Sequence, residues 1–142
     1  MNYYPKRPVK SFQDLEVYQK LLAISVVIVK KIPLNMEIGL TKDLHDCMFS
    51  LPIKIAAAHS LRFGNSEQAI RILEEIMVGC NKIVVYLELY RDLYNNKIEL
   101  EFFDEQIKNI LSTRFKILHL QRSWIKFTPL AIKTDRSYGK TK

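Results

Sequence analysis

A chain of 142 residues with 48% apolar residues is long enough for one domain with a single core and too apolar to stay disordered. Its two cysteines, Cys47 and Cys80, stand apart without CxxC spacing, which excludes a disulfide framework and fits buried thiols in a reducing cytoplasm. The net charge of +7 is uneven, with residues 1–62 at +4, 63–111 at −4 and 112–142 at +7, an asymmetry that suggests an anionic partner.

Residues 1–10 hold two prolines and three basic residues and read as a basic N-terminal arm. Ser11 with Asp14 three residues on is a capping-box pattern, so a first helix is expected from there to about Ile32, stopped by Pro33. It carries two apolar strips. One is Phe12, Leu15, Tyr18, Leu22, Val26 and Val29; the other is Val17, Leu21, Ile24 and Ile28. A helix apolar on two sides is either central or touches another subunit. Leu21 to Val29 is the most apolar run, but nine residues cannot span a bilayer. Asp14 and Glu16 precede it and no small-residue cleavage site follows, so neither a signal peptide nor a membrane partner is expected.

After a short link with Asn35 as a plausible cap, a second helix is expected over about Glu37 to Arg62, burying Leu40, Leu44, Cys47, Leu51, Ile55 and Ala58. Pro52 lies inside it and predicts a kink near Met48 to Pro52. Asn65 with Gln68 caps a third helix from Ser66 to about Leu93, with a stripe of Ile72, Ile76, Ile83, Tyr86, Tyr90 and Leu93. Gly79 in mid-helix costs about 1 kcal/mol against alanine and marks close packing at that point. Asn95-Asn96 ends this helix and the fourth begins near Leu100.

The stretch Phe102 to Phe127 has neither Gly nor Pro, and the other helices are expected to pack on it. Phe103, Ile107, Ile110, Ile117, Leu118, Trp124 and Ile125 recur at helical spacing on one face, while Lys108, Lys116, His119, Arg122 and Lys126 fall on another. Arg114 lies among the apolar residues, where it is a buried ion pair, a lining residue of a central channel or a subunit contact. Residues 128–142 form a basic tail that extends the cationic strip through Lys133 and Arg136. Four long helices on short links give an all-α, antiparallel up-down-up-down four-helix bundle over residues 11–127.

The residues offer little chemistry beyond charge. The positions three before His45, His59 and His119 are Lys42, Ala56 and Lys116, so the Glu-x-x-His pattern of di-metal bundles is missing. Cys47 near His45 reads as a core thiol beside a surface imidazole, and there is no glycine-rich phosphate loop, so no enzyme, metal or cofactor is expected. The cationic strip suits phosphate and carries no base-reading signature. Tyr86, Tyr90 and Tyr94 repeat every four residues and could stack on bases, although such a stripe is more often core or interface.

Two sets of motifs resemble known families. Phe12-Gln-Asp-Leu-Glu-Val-Tyr-Gln-Lys20 and Ser50-Leu-Pro-Ile-Lys-Ile-Ala56 are similar to the first- and second-helix motifs of bundle proteins encoded in ribosomal-RNA intervening sequences, with Lys54 where Asn is usual. Ile70-Arg-Ile-Leu73, Leu89-Tyr-Arg-Asp-Leu93 and Ser123-Trp-Ile-Lys126 ahead of a basic tail resemble the accessory variability determinant (Avd) proteins of diversity-generating retroelements. The isolated thiols and the lack of catalytic motifs lead to the expectation of a cytoplasmic, non-enzymatic protein, and the second resemblance implies an accessory protein with a positively charged surface. It implies a ring-shaped homopentamer, a reverse transcriptase partner, and RNA or DNA binding during mutagenic copying of a template. The family's basic residues map by position onto Arg114, Lys116, Arg122 and Lys126. The first resemblance implies instead an oligomeric protein-interaction module with no nucleic-acid role.

Overall fold

The computed structural model describes residues 11–33, 39–94 and 98–128. Among them are four α-helices and no strand: α1 Glu16–Lys31, α2 Gly39–Leu61, α3 Ser66–Tyr94 and α4 Leu100–Lys126. They form a helical bundle in which α1 packs on α2 and α4, and α3 packs on α2 and α4. The two interfaces of α3 are the most extensive, while α4, on which the sequence pattern predicts the other helices to pack, meets α1 and α3. The expectations for residues 1–10, Asn35, Asn95-Asn96 and the tail beyond Thr128 lie outside the described residues.

The Ser11 capping box forms, but it closes a 3₁₀ turn over Phe12–Asp14 instead of starting the α-helix. Ser11 N–H donates to Asp14 Oδ2 at 3.2 Å and Gln13 N–H donates to Ser11 Oγ at 3.2 Å. Leu15 then adopts an extended backbone, which breaks the helical run, and α1 starts at Glu16. Val17, Leu21, Ile24 and Ile28 of one apolar strip are buried, and the other strip enters the core only at its start, where Leu15 is buried and Phe12 and Tyr18 are half-buried against it. Leu22 and Val26 on the other strip are 44% exposed. The third side of this helix is therefore open in the single chain.

Helix α2 runs unbroken through Pro52, which is buried. Proline has no N–H to give the carbonyl four residues back, here that of Met48. The Ser25 hydroxyl of α1, which donates to the Leu21 carbonyl at 2.7 Å, lies 3.5 Å from that Met48 oxygen. A polar group on the neighbouring helix thus faces the carbonyl that proline leaves without its usual donor.

Gly79 has the role its position predicts. A Cβ built there would stand 2.5 Å from Leu51 Cδ2 of α2, and both residues are buried. Replacing Gly79 with leucine, a good helix former, isolates the packing term. The expected result is a loss of about 1–3 kcal/mol from overpacking, read as a lower urea midpoint. An unchanged midpoint would show that this seam has room.

The tyrosine stripe divides. Tyr90 is fully buried, its hydroxyl hydrogen-bonded to Thr41 Oγ1 of α2, while Tyr86 and Tyr94 are half-buried and Leu93 is exposed. Tyr90 therefore cannot stack on a base. On α4, Phe103, Ile110, Ile117 and Trp124 are buried as expected, but Ile125 is exposed. A line of polar residues that the apolar periodicity misses, Gln106, Thr113 and Gln121, is buried with them.

Candidate nucleic-acid interface

The buried polar line sets how α4 is rotated. Gln121 Nε2 donates to Glu74 Oε2 at 2.8 Å and to the Ile70 carbonyl at 3.3 Å, both on α3, and the Thr113 hydroxyl donates to the Asn109 carbonyl at 2.8 Å. The two Gln121 bonds lose their geometry if α4 rolls against α3, so they favour one orientation of its cationic residues, whereas the Thr113 bond stays within α4. Charge also changes along α4. Glu101, Asp104 and Glu105 are exposed in its first turns, and from Lys108 to Lys126 the helix carries no acid. Cations towards a helix C-terminus are favoured by the macrodipole as well, so the gradient has a structural cause beside any functional one.

The expected binding residues fall into four groups. Lys108 and Arg122 are exposed, with no ion-pair partner among the described residues. His119 is exposed with its ring edge-on to Phe115, and Lys126 is exposed with its ammonium 5.6 Å from the Phe127 ring centroid. Lys116 is half-buried and turned towards α1, its Nζ 2.8 Å from Glu16 Oε1, so an adjoining helix already compensates its charge. Arg114 is half-buried, and its Nε has no hydrogen-bond partner. No carboxylate pairs with Arg114 among the described residues, which removes the buried-ion-pair reading. Its charge acts instead on the Cys80 thiol of α3. Lys133 and Arg136 lie outside the described residues.

Sequence reasoning missed Arg62. Its guanidinium carbon lies 5.3 Å from the Trp124 ring centroid of α4 and 4.9 Å from that of Phe63. The residue that follows α2 thereby meets the last turn of α4. Arg62 follows an apolar stripe and precedes a turn, so its sequence position marks only a helix end. His59, one turn earlier, is held below its ordinary pKa by partial burial and then by the Arg62 charge.

A groove of about 540 Å³ runs between α2 and α3, lined in part by Asp43, Asp46, Cys47, Lys54, Glu75 and Lys82. The expected pairing of a core thiol with a surface imidazole is reversed here. His45 is buried, its Nε2 donating to the Ile32 carbonyl at the end of α1, and Cys47 is the half-exposed partner. The Cys47 thiol donates to the Gly79 carbonyl at 3.7 Å, and burial pushes its pKa up. Burial pushes Cys80 to about 12. Both thiols are therefore expected to resist iodoacetamide at pH 8 in the folded protein and to react once it is unfolded in urea. Intact-mass spectrometry checks this, and fast labelling of the native protein would contradict it. Among the described residues, no group of three or more His, Cys, Asp or Glu could hold a metal ion, and no helix is long and apolar enough to cross a membrane.

Comparison with known proteins identifies no relative. No family model, no curated protein and no solved structure matches the chain. The functional reading therefore rests on the residues themselves and on the resemblances they carry.

Proposed function

We propose that this chain is a non-enzymatic accessory protein of a diversity-generating retroelement. It binds RNA or DNA through the C-terminal half of α4 and associates with a reverse transcriptase, as a homopentamer in the cytoplasm. The bundle is read as antiparallel, up-down-up-down. Contacts in opposite chain order support that arrangement: α1 meets α4 at Glu16 with Lys116 and at Lys31 with Glu99, and α2 meets α3 at Thr41 with Tyr90 and at Lys54 with Glu75. The observation that carries the binding reading is the outward position of Lys108, Arg122 and Lys126 on an acid-free length of helix. The uncovered apolar residues Leu22 and Val26 of α1, with Val85 and Leu89 of α3, support assembly with further subunits.

Phosphate binding of this kind releases counterions, so affinity should fall steeply with salt. For about three phosphate contacts per subunit, the logarithm of the association constant should fall by roughly 3 for each tenfold rise in salt on duplex DNA. Fluorescence anisotropy from about 50 to 300 mM salt measures that slope. Absence of binding at the lowest salt would refute the reading. It would leave the alternative, an oligomeric protein-interaction module of the intervening-sequence type. One observation favours that alternative: Lys116, a mapped basic position, is held by Glu16 within the chain.

A further inference from the structure

Two aromatic rings stand out where α2 and α4 end. Phe63 is 81% exposed and Phe127 is 69% exposed. Phe63 sits in a held turn. Asn65 N–H donates to the Leu61 carbonyl at 2.8 Å, and Gln68 N–H donates to the Asn65 side chain at 3.2 Å. The turn thus presents the ring from a constrained backbone. Arg62 connects Phe63 to α4 by lying over both Phe63 and Trp124. Phe127 follows Trp124 by three residues, about 4.5 Å of helix rise, and Lys126 sits over it. Each exposed ring therefore has a cation at its face, and Arg62 links the first of them to the helix that carries the second.

A cation beside a solvent-facing ring is the composition of a stacking platform for unpaired bases: the ring takes the base and the cation takes the neighbouring phosphate. Duplex bases are already stacked on each other and offer these rings no face. Charge complementarity selects the occupant, since Arg62 and Arg122 have no carboxylate partner among the described residues. On α3, Glu67 pairs with Arg71 and Glu74 accepts a hydrogen bond from Gln121.

Resting on the nucleic-acid reading above, we infer that Phe63 and Phe127, flanked by Arg62 and Lys126, form a stacking site for single-stranded nucleic acid. The phosphate contacts of α4 serve single and double strands alike, and the two phenylalanines add affinity only for unpaired bases.

The test uses the full chain and three labelled probes of equal length: a single-stranded RNA, a single-stranded DNA and a duplex DNA. Phe63→Leu with Phe127→Leu keeps apolar bulk and removes the ring faces. It should weaken both single-stranded probes by about tenfold or more and leave duplex affinity unchanged. Phe63→Tyr with Phe127→Tyr should restore single-strand binding. Both phenylalanines are exposed, so the helical circular dichroism should not change. Equal loss on all three probes would overturn the inference, because the rings would then serve the phosphate surface. Unchanged binding of every probe would overturn it too. A smaller oligomer in sedimentation, with single-strand affinity kept, would also overturn it and assign the rings to a subunit contact. If the unsubstituted protein binds none of the probes, the phosphate-binding reading falls with it. If it binds duplex and single strands and only the leucine variant gives the wrong result, that reading stands and the stacking site alone is lost.

Discussion

Tyr90→Ala should destabilise the bundle by about 3–5 kcal/mol, the usual cost of emptying an aromatic site in a core. Tyr90 has no exposed surface, its ring centroid lies 5.3 Å from that of Tyr94 and 6.5 Å from that of Phe103, and its hydroxyl bonds Thr41. One residue thus ties α3 to both α2 and α4. A domain with a total stability of about 5–15 kcal/mol would lose a large share of it, and could be part-unfolded at 37 °C. Tyr90→Phe separates the two contributions. It keeps the ring and leaves the buried Thr41 hydroxyl without its partner, for an expected loss of about 1–3 kcal/mol. Thr41→Val placed on top of Tyr90→Phe should recover part of that loss, because an apolar pair has no unmet polar group. With Thr41→Val alone as the fourth protein, urea unfolding followed by circular dichroism closes this cycle. A Tyr90→Ala protein with the midpoint of the parent would mean that the ring faces solvent, and would return Tyr90 to the list of base-stacking candidates.

Helical periodicity reveals which residues share a face of a helix. It does not say which face another helix will cover. On α1 the pattern offers two apolar strips of similar quality. The structure buries the one with Leu21 and Ile28 and leaves Leu22 and Val26 open, a choice made by how α2 and α4 pack on it. The same limit explains His45 and Cys47. They are two apart on α2, so they point in different directions, and the polar imidazole goes inward because the Ile32 carbonyl at the end of α1 needs a donor. That need comes from another helix and has no trace in local spacing.

Gly79 was legible for the opposite reason. A glycine in mid-helix is locally unfavourable, so its presence implies a compensating contact, and Leu51 is that contact. The capping pair at Ser11 was legible as a cap. Its use on a 3₁₀ turn was not, because the break at Leu15 leaves no signature in side-chain chemistry. Among the cations, the sequence lists the charges without their partners. Lys116 and Glu16 are separated by most of the chain, yet they meet at 2.8 Å. Arg62 and Trp124 are likewise distant in sequence and adjacent in space.

The exposed position of Arg122 and Lys126 at the end of α4, against that of Lys116 beside α1, gives the second large prediction. Arg122→Glu combined with Lys126→Glu should lower affinity for RNA or DNA by at least about a hundredfold near 50 mM salt. Two phosphate contacts are removed and two like charges are put in their place. Both residues are exposed on the last turns of α4, so the fold should survive and urea unfolding should move little. Lys116→Gln provides the contrast. Its ammonium is spent on Glu16, so affinity should fall only slightly, while stability falls by less than about 1 kcal/mol. A surface that attracted polyanions by net charge alone would respond to the total number of charges removed, wherever they lay. The proposed interface should respond to position. If Lys116→Gln, followed in the same anisotropy titration, weakens binding per charge as much as the Arg122 and Lys126 reversal does, the C-terminal face of α4 is not the binding site.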